Sequence, residues 1–302
     1  MTGTETETLR VGVVGAGQMG AGIAEVCARA GLDTRLVDAA PHALALGRSR
    51  LEASLQRSVD RGRATAAEYS IALANLSWAD DVQALADRDV VIEAIIEDRQ
   101  AKTALFRRLD GILHPGTILA SNTSSIPLTD LAVATSRPED VIGIHFFNPA
   151  PAQQLVEIIP SMTTSARTLE QVLHIVEHHL GKRPVQAPDR AGFIVNALLV
   201  PFLLSAIRMV ENRVATREDI DAGMVHGCAH PMGPLALCDL IGLDTVQAIA
   251  ESLHEEYREP LYAPPPLLRR MIAAGKTGRK AGSGFYTYDN SGRQHIRGMR
   301  TP

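Results

Sequence analysis

Residues 9–38 read LRVGVVGAGQMGAGIAEVCARAGLDTRLVD. Leu9 to Val14 is a short apolar run of the kind that forms a buried strand. Gly15 to Gly20 is a glycine-rich turn. Met19 to Ala30 has helical patterning, and Gly31 stands where a residue just past a helix end is wanted. Asp33 to Val37 reads as the next strand, ending at Asp38. Strand, helix and strand within about 30 residues make one parallel βαβ unit.

Gly15, Gly17 and Gly20 form the pattern G-x-G-x-x-G. The first glycine permits the tight turn, the second lets the backbone approach a pyrophosphate, and the third allows close helix–strand packing. Phosphates at that helix start meet free N–H groups and the positive end of the helix dipole. Asp38 follows Gly20 at close to the ~20-residue interval at which an acidic side chain accepts from a ribose hydroxyl. Its carboxylate repels a 2′-phosphate, and no arginine follows in DAAPH (38–42), so NAD is expected rather than NADP. The expected cofactor contacts are Gly15, Ala16, Gly17, Gln18, Met19, Gly20 and Asp38. The plainer alternative is a structural turn with an incidental aspartate; the flanking strand, helix and second strand argue against it.

Outward from this unit, strands and helices alternate. Ala43–Arg61 has the pattern of a long charged helix, Asp89–Ile96 (DVVIEAII) of a strand inside a sheet, and Gln100–Leu113 of a helix. Thr117–Ala120, Val141–Phe147 and Leu155–Ile159 are further strands. Such alternation predicts a doubly wound α/β sheet. The texture changes at GKRPVQAPDRA (181–191), after which the pattern is almost wholly helical. The expectation is therefore an α/β fold with two domains: an NAD-binding Rossmann-like domain over 1–187 and an all-α domain over 188–302. The prolines 264–266 mark a loop.

Composition narrows the class. A formal net charge of -4 argues against a general nucleic-acid binder. Cys27, Cys228 and Cys238 have no metal-ligand spacing and suit a reducing compartment, so a cytoplasmic location is expected. The N-terminal stretch MTGTETETLR lacks the basic and apolar regions of a signal peptide. The most apolar stretch, Phe193 to Val210, is interrupted by Asn196, Pro201, Ser205 and Arg208, and is read as a buried helix rather than a membrane span. Its apolar surface exceeds what one face of a small helical domain needs, which predicts a homodimer through the C-terminal domain. His178–His179 and the histidines at 226 and 230 are read as surface or turn residues, and no metal is expected.

Two regions carry candidate chemistry. The loop Ser121-Asn122-Thr123-Ser124-Ser125 follows a strand, and sheet ligands gather at strand carboxyl ends. By itself it is equally a capping loop. His145 ends the apolar strand of GIHFFNP (143–149) and could act as a general acid or base, although a lone histidine in such a strand is more often a satisfied core residue. Glu157 sits inside the apolar LVEII (155–159), where a buried carboxylate needs a partner. If the intervening segment folds back, Glu157 can hold His145; the spacing permits this and does not prove it.

These strings resemble the 3-hydroxyacyl-CoA dehydrogenase family. The carriers are VGVVGAGQMGAGIA, ILASNTSSI, GIHFFNPAP, LVEII, GFIVN, HPMGPLALCDLIGLDT and GRKAGSGFYTY, in the family's order and spacing over nearly the whole chain. The resemblance implies that His145 removes the 3-hydroxyl proton while hydride leaves C3 for NAD. It implies that Glu157 orients His145, and that Ser124 and Asn196 bind the substrate oxygen or the water near it. It places Asn148, Glu97, Lys102, Ser124 and Lys280 at the cofactor, and Ser54 and Arg61 at the CoA of an acyl-CoA substrate. The family usually has lysine where Arg61 stands; arginine keeps the charge and changes the hydrogen-bond geometry.

Three other readings compete. The first keeps the fold and moves the acyl group onto a carrier protein, a choice that Arg61 and the string HGCAHPMGP (226–234) leave open. The second is a non-catalytic NAD-binding relative, against which both His145 and Glu157 stand. The third is a hydroxyacid dehydrogenase with a lysine base, disfavoured by HFFNP with its downstream LVE.

Overall fold

The computed structural model describes residues 8–289, 293 and 294. The chain folds as two compact units that meet in sequence between Phe193 and Ile194. The N-terminal unit runs β1 (Arg10–Val14), α1 (Gln18–Arg29), β2 (Asp33–Val37), α2 (Pro41–Asp60), α3 (Ala66–Ala74), β3 (Leu76–Ala79) and β4 (Val90–Glu93). It continues with α4 (Arg99–Asp110), β5 (Ile118–Ser121), α5 (Leu128–Ala132), β6 (Val141–Phe146), β7 (Leu155–Pro160), α6 (Ala166–His174) and β8 (Arg183–Gln186).

The eight strands form one sheet in the order β3-β2-β1-β4-β5-β6-β7-β8. The first six are mutually parallel, and their order reverses between β1 and β4. Ligands in such sheets bind beyond the carboxyl ends of the strands at that switch point. The interior strands β4, β5 and β6 are buried at every residue, which is why they read as continuous apolar runs. On α1, Ile23, Ala24, Cys27 and Ala28 are buried.

The strand over DVVIEAII is shorter than its apolar run. It ends at Glu93, and Ile96 is 73% exposed on the loop that follows. The sequence pattern does not predict β3, α3, α5, α6 or β8. Beyond β6 the sheet changes direction. β7 pairs with β6 antiparallel, with His145 directly opposite Glu157, and β8 pairs with β7 in parallel. The segment after β8 stays with this unit: the Asp189 carboxylate accepts the Leu128 and Thr129 amides at 2.7 and 2.8 Å and the Thr129 hydroxyl at 2.7 Å.

The C-terminal unit is helical: α7 (Val195–Glu211), α8 (Arg217–Cys228), α9 (Pro234–Ile241), α10 (Leu243–Tyr257) and α11 (Pro266–Ala273). α7 covers the apolar stretch expected to be a buried helix and carries Pro201 inside it. Asp239, buried on α9, accepts the Phe285 and Tyr286 amides and the Tyr288 hydroxyl, each at 2.8 Å. That carboxylate, with the Tyr286 hydroxyl donated to Asp221 at 2.9 Å, ties the chain after α11 to the bundle. Among the described residues no helix is long and apolar enough to cross a membrane.

Candidate active site

The glycine-rich turn lies between β1 and α1, at the carboxyl end of β1 and beside the switch point. Gly15 has φ +102, a backbone conformation an L side chain rarely adopts, and a Cβ there would meet the Ala94 carbonyl. A Cβ at Gly20 would run into the Gly15 carbonyl oxygen. Gly17 differs: nothing lies within 4 Å of where its Cβ would stand. The turn is thus packed underneath and open above. α1 begins with Gly17 as N-cap, without a capping side chain and without an acidic residue in its first turn. The first-turn amides of a helix have no intrahelical acceptor, so this cradle fits a pyrophosphate.

Asp38 sits at the end of β2. Its Oδ2 accepts the Ala16 amide at 2.8 Å and its Oδ1 accepts the Ala40 amide at 3.0 Å. The carboxylate is therefore held in place, with lone pairs left over for ribose hydroxyls. The Ala16 amide is engaged by Asp38, whereas Gly17 stands at the N-cap of α1 with Gln18 and Met19 in its first turn. Gln18 Nε2 donates to Asn148 Oδ1 at 3.1 Å, so two expected cofactor residues meet across the turn.

The reacting group stands at the end of β6. His145 and Glu157 face each other across the antiparallel β6–β7 pair, and directly opposed residues project to the same face. His145 Nδ1 lies 2.8 Å from Glu157 Oε2, and His145 Nε2 lies 3.0 Å from Ser124 Oγ. Both members of the pair are buried, Glu157 fully. A carboxylate only accepts, so Nδ1 carries the proton and Nε2 presents its lone pair to the Ser124 hydroxyl. The His145 ring is held edge-on by Phe147 and Phe193, with centroids at 4.7 and 5.4 Å. Asn122 Oδ1 accepts the Phe146 amide at 2.8 Å, which ties the β6 end to the 121–125 loop.

That loop is braced from below. Glu97 Oε1 accepts the Thr123 hydroxyl (2.5 Å), the Ser124 and Ser125 amides (2.9 and 3.0 Å) and the Ser125 hydroxyl (2.9 Å). Burial pushes the Glu97 carboxyl up, but the nearby Lys102 ammonium and these donors outweigh it and hold it below the usual range. Lys102 is itself buried and bonds Glu93 Oε1 at 2.5 Å, with Glu97 Oε2 at 3.3 Å. Sequence reasoning missed Glu93. A carboxylate inside a wholly apolar strand demands a partner, and that rule, which singled out Glu157, applies equally to DVVIEAII.

Ser54 lines a cavity of about 550 Å³ with Gln18, Glu25, Arg50, Arg57 and Asn148. Arg61 is the C-cap of α2, one turn beyond Arg57, and is not among the lining residues. Arg50 and Arg57, which the sequence did not single out, bring positive charge to the Ser54 cavity. A second cavity of about 550 Å³ opens at the opposite, amino end of the strands, lined by Arg10, His114 and His174. It lies away from the strand ends where a sheet of this kind binds its ligand. In the C-terminal unit, Asn196 stands on the first turn of α7, and Lys280 Nζ pairs with Asp244 Oδ2 at 2.5 Å.

The family model described as 3-hydroxyacyl-CoA dehydrogenase, NAD binding domain, matches residues 10–190, and that of the C-terminal domain matches 192–288. A 3-hydroxybutyryl-CoA dehydrogenase of Mycobacterium tuberculosis is 51% identical over 280 residues, covering 92% of this chain and 98% of that protein. The human mitochondrial hydroxyacyl-coenzyme A dehydrogenase is 42% identical, over 92% of this chain and 90% of that one. Among solved structures, an (S)-3-hydroxybutyryl-CoA dehydrogenase from Ralstonia eutropha superposes with a TM-score of 0.89 at 42% identity, covering 94% of this chain and all (100%) of that one.

Proposed function

Because the chain belongs to the 3-hydroxyacyl-CoA dehydrogenase family, we propose that it oxidises the 3-hydroxyl of a short-chain (3S)-3-hydroxyacyl-CoA, with 3-hydroxybutyryl-CoA the first candidate. NAD, when bound, takes the hydride from C3. The observation that carries the reading is the line Ser124–His145–Glu157, with contacts of 3.0 and 2.8 Å.

In this reading His145 Nε2 accepts the substrate hydroxyl proton. The Nδ1 proton stays on the ring, donated to Glu157, whose charge stabilises the imidazolium that forms. Ser124, which occupies Nε2 in the free protein, turns its hydroxyl to the substrate oxygen as the substrate arrives. Asn196 supplies a second polar contact to that oxygen or its water. In the reverse direction protonated His145 returns the proton. A positioned general base contributes about 10²–10⁴-fold. The turn residues 15–20 and Asp38 hold the dinucleotide, with Asn148, Glu97, Lys102 and Lys280 completing its surroundings.

Ser54 and Arg61 receive the CoA, and Arg50 and Arg57 of the Ser54 cavity support that assignment because CoA carries three phosphates. Exposed Leu198 (72%), Val214 (65%) and Leu261 (46%) in the helical unit support a homodimer through that unit. A stable monomer by sedimentation overturns it. A cytoplasmic location belongs to the same reading; all three cysteines are free thiols.

The decisive assay follows NADH absorbance across 3-hydroxyacyl-CoAs from C4 to C16, repeated with NADP. Turnover with NAD and a short CoA thioester is expected. No NADH from any CoA thioester, with turnover of the same acyl group on a carrier protein, overturns the substrate assignment.

A further inference from the structure

Glu93 is wholly buried at the last position of β4, opposite Ser121 on β5. It gathers bonds from three directions. Its Oε2 accepts the Ser121 hydroxyl at 2.6 Å, and its Oε1 accepts the Ile95 amide at 2.7 Å and the Lys102 ammonium at 2.5 Å. Its backbone carbonyl accepts the Asn122 amide at 2.8 Å. Ser121 Oγ in turn accepts the Thr123 amide at 3.2 Å. Lys102 connects this buried carboxylate to Glu97, and Glu97 holds residues 123–125 by four bonds.

We propose that the relay Glu93–Lys102–Glu97 positions the Ser124 hydroxyl on His145 Nε2, with Glu93 as its fixed end. The argument is one of charge balance. Lys102 is buried, and an ammonium out of water must be matched by an anion. Glu93 is the nearer and more deeply buried anion; Glu97 is the farther and has a side chain 39% exposed. With Glu93 charged, Lys102 is satisfied at 2.5 Å and Glu97 is free to serve the loop. In Glu93→Gln, which removes that charge, the ammonium draws Glu97 toward itself and off the loop donors. Ser124 then loses the backbone bond that sets its side chain against the histidine. Glu93 and Lys102 touch neither His145 nor Ser124, so they are positioning residues rather than catalytic ones.

The proposal rests on the dehydrogenase reading for its kinetic consequence and not for its structural one. Its test has two parts. In cofactor-free protein, the His145 ring resonances are recorded by NMR for the parent, Ser124→Ala, Glu93→Gln and the double variant. Glu93→Gln is expected to shift them as Ser124→Ala does, with no further change in the double variant. In the NADH assay, Glu93→Gln is expected to lower kcat by ~10-fold, the worth of one hydrogen bond. Added to Ser124→Ala it should cost nothing more. A fully additive loss, or His145 resonances identical to those of the parent, overturns the relay. Should Glu93→Gln fail to fold, Glu97→Gln, at the more exposed end, carries the NMR prediction and the same non-additivity with Ser124→Ala. Failure of the parent to turn over any hydroxyacyl-CoA refutes the dehydrogenase reading, and the NMR arm still decides the relay.

Discussion

Replacing Glu157 by glutamine keeps the volume of a fully buried side chain and removes only its charge. The magnitude follows from the contact. At 2.8 Å from His145 Nδ1, a full charge pair in an effective dielectric of ~20 is worth roughly 6 kcal/mol. The imidazolium is about half developed when the proton is in flight, so roughly 3 kcal/mol of transition-state stabilisation is lost. At 1.36 kcal/mol per decade this is a fall in kcat of about 10²-fold. Glutamine adds a second effect in the same direction. Its amide can present N–H to Nδ1, which forces the proton to Nε2 and leaves no lone pair facing Ser124. The assay is NADH formation from 3-hydroxybutyryl-CoA, with NADH affinity by fluorescence titration and the thermal midpoint as controls. Affinity should stay near the parent value, because β7, which carries Glu157, is four strand positions from β1 and its glycine-rich turn. A variant whose kcat stays within a small factor of the parent, with an intact thermal midpoint, refutes the role assigned to the pair.

Other outcomes follow from the same geometry. Gly17→Ala, placed in open space, should leave the thermal midpoint unchanged and weaken NAD binding, whereas Gly20→Ala, which collides with the Gly15 carbonyl, should lower the midpoint; calorimetry with NADH titration separates them. Asp38→Ala should narrow the preference for NAD over NADP and cost about 1 kcal/mol through the lost Ala16 and Ala40 bonds, read from kcat/KM ratios and urea unfolding. Arg57→Ala should raise KM for the CoA substrate and leave NADH affinity alone; an unchanged KM removes the cavity from the CoA assignment. Acid should destabilise the fold late. Hydrogen bonds from Arg88 hold the Asp87 carboxyl at about 2, and Glu97 is also held below its ordinary value. Depressed carboxyls contribute stability that is full above the unfolded value near ~4 and is lost as pH falls through the folded value. The part of the thermal midpoint that Asp87→Asn removes is therefore expected to be constant above about pH 5 and to fall away between ~4 and ~2; loss of that part beginning at neutral pH contradicts this.

The first βαβ unit is legible because each of its parts obeys a local rule. β2 spans the Asp33–Val37 stretch read as the strand before Asp38, and α1 stops two residues before Gly31. The edge strands are not legible in this way. β3 (LSWA) is only four residues long and half-buried throughout, too short for its alternation to stand out, and β8 (RPVQ) carries a proline that an edge strand tolerates. Within the site, His145 and Glu157 were visible singly, as polar residues in apolar strands. Their pairing depends on β7 running antiparallel, which no spacing in a single chain specifies. Glu93 was hidden because an eight-residue apolar run absorbs one carboxylate without breaking its pattern. Arg57 was hidden because a charged residue on a charged helix carries no mark of the cavity beneath it.

The antiparallel register between β6 and β7 has a consequence for how this site tolerates change. The separation of His145 and Glu157 is set by the ladder, rung against rung, and not by the turn at 147–154 that joins the two strands. Insertions in that turn change what surrounds the pair while leaving its two atoms in register. A single residue inserted within either strand acts oppositely: it turns one member of the pair to the far side of the sheet, because side chains alternate with a period of two. The register of the proton-accepting pair is thus independent of the length of the segment that joins its two strands.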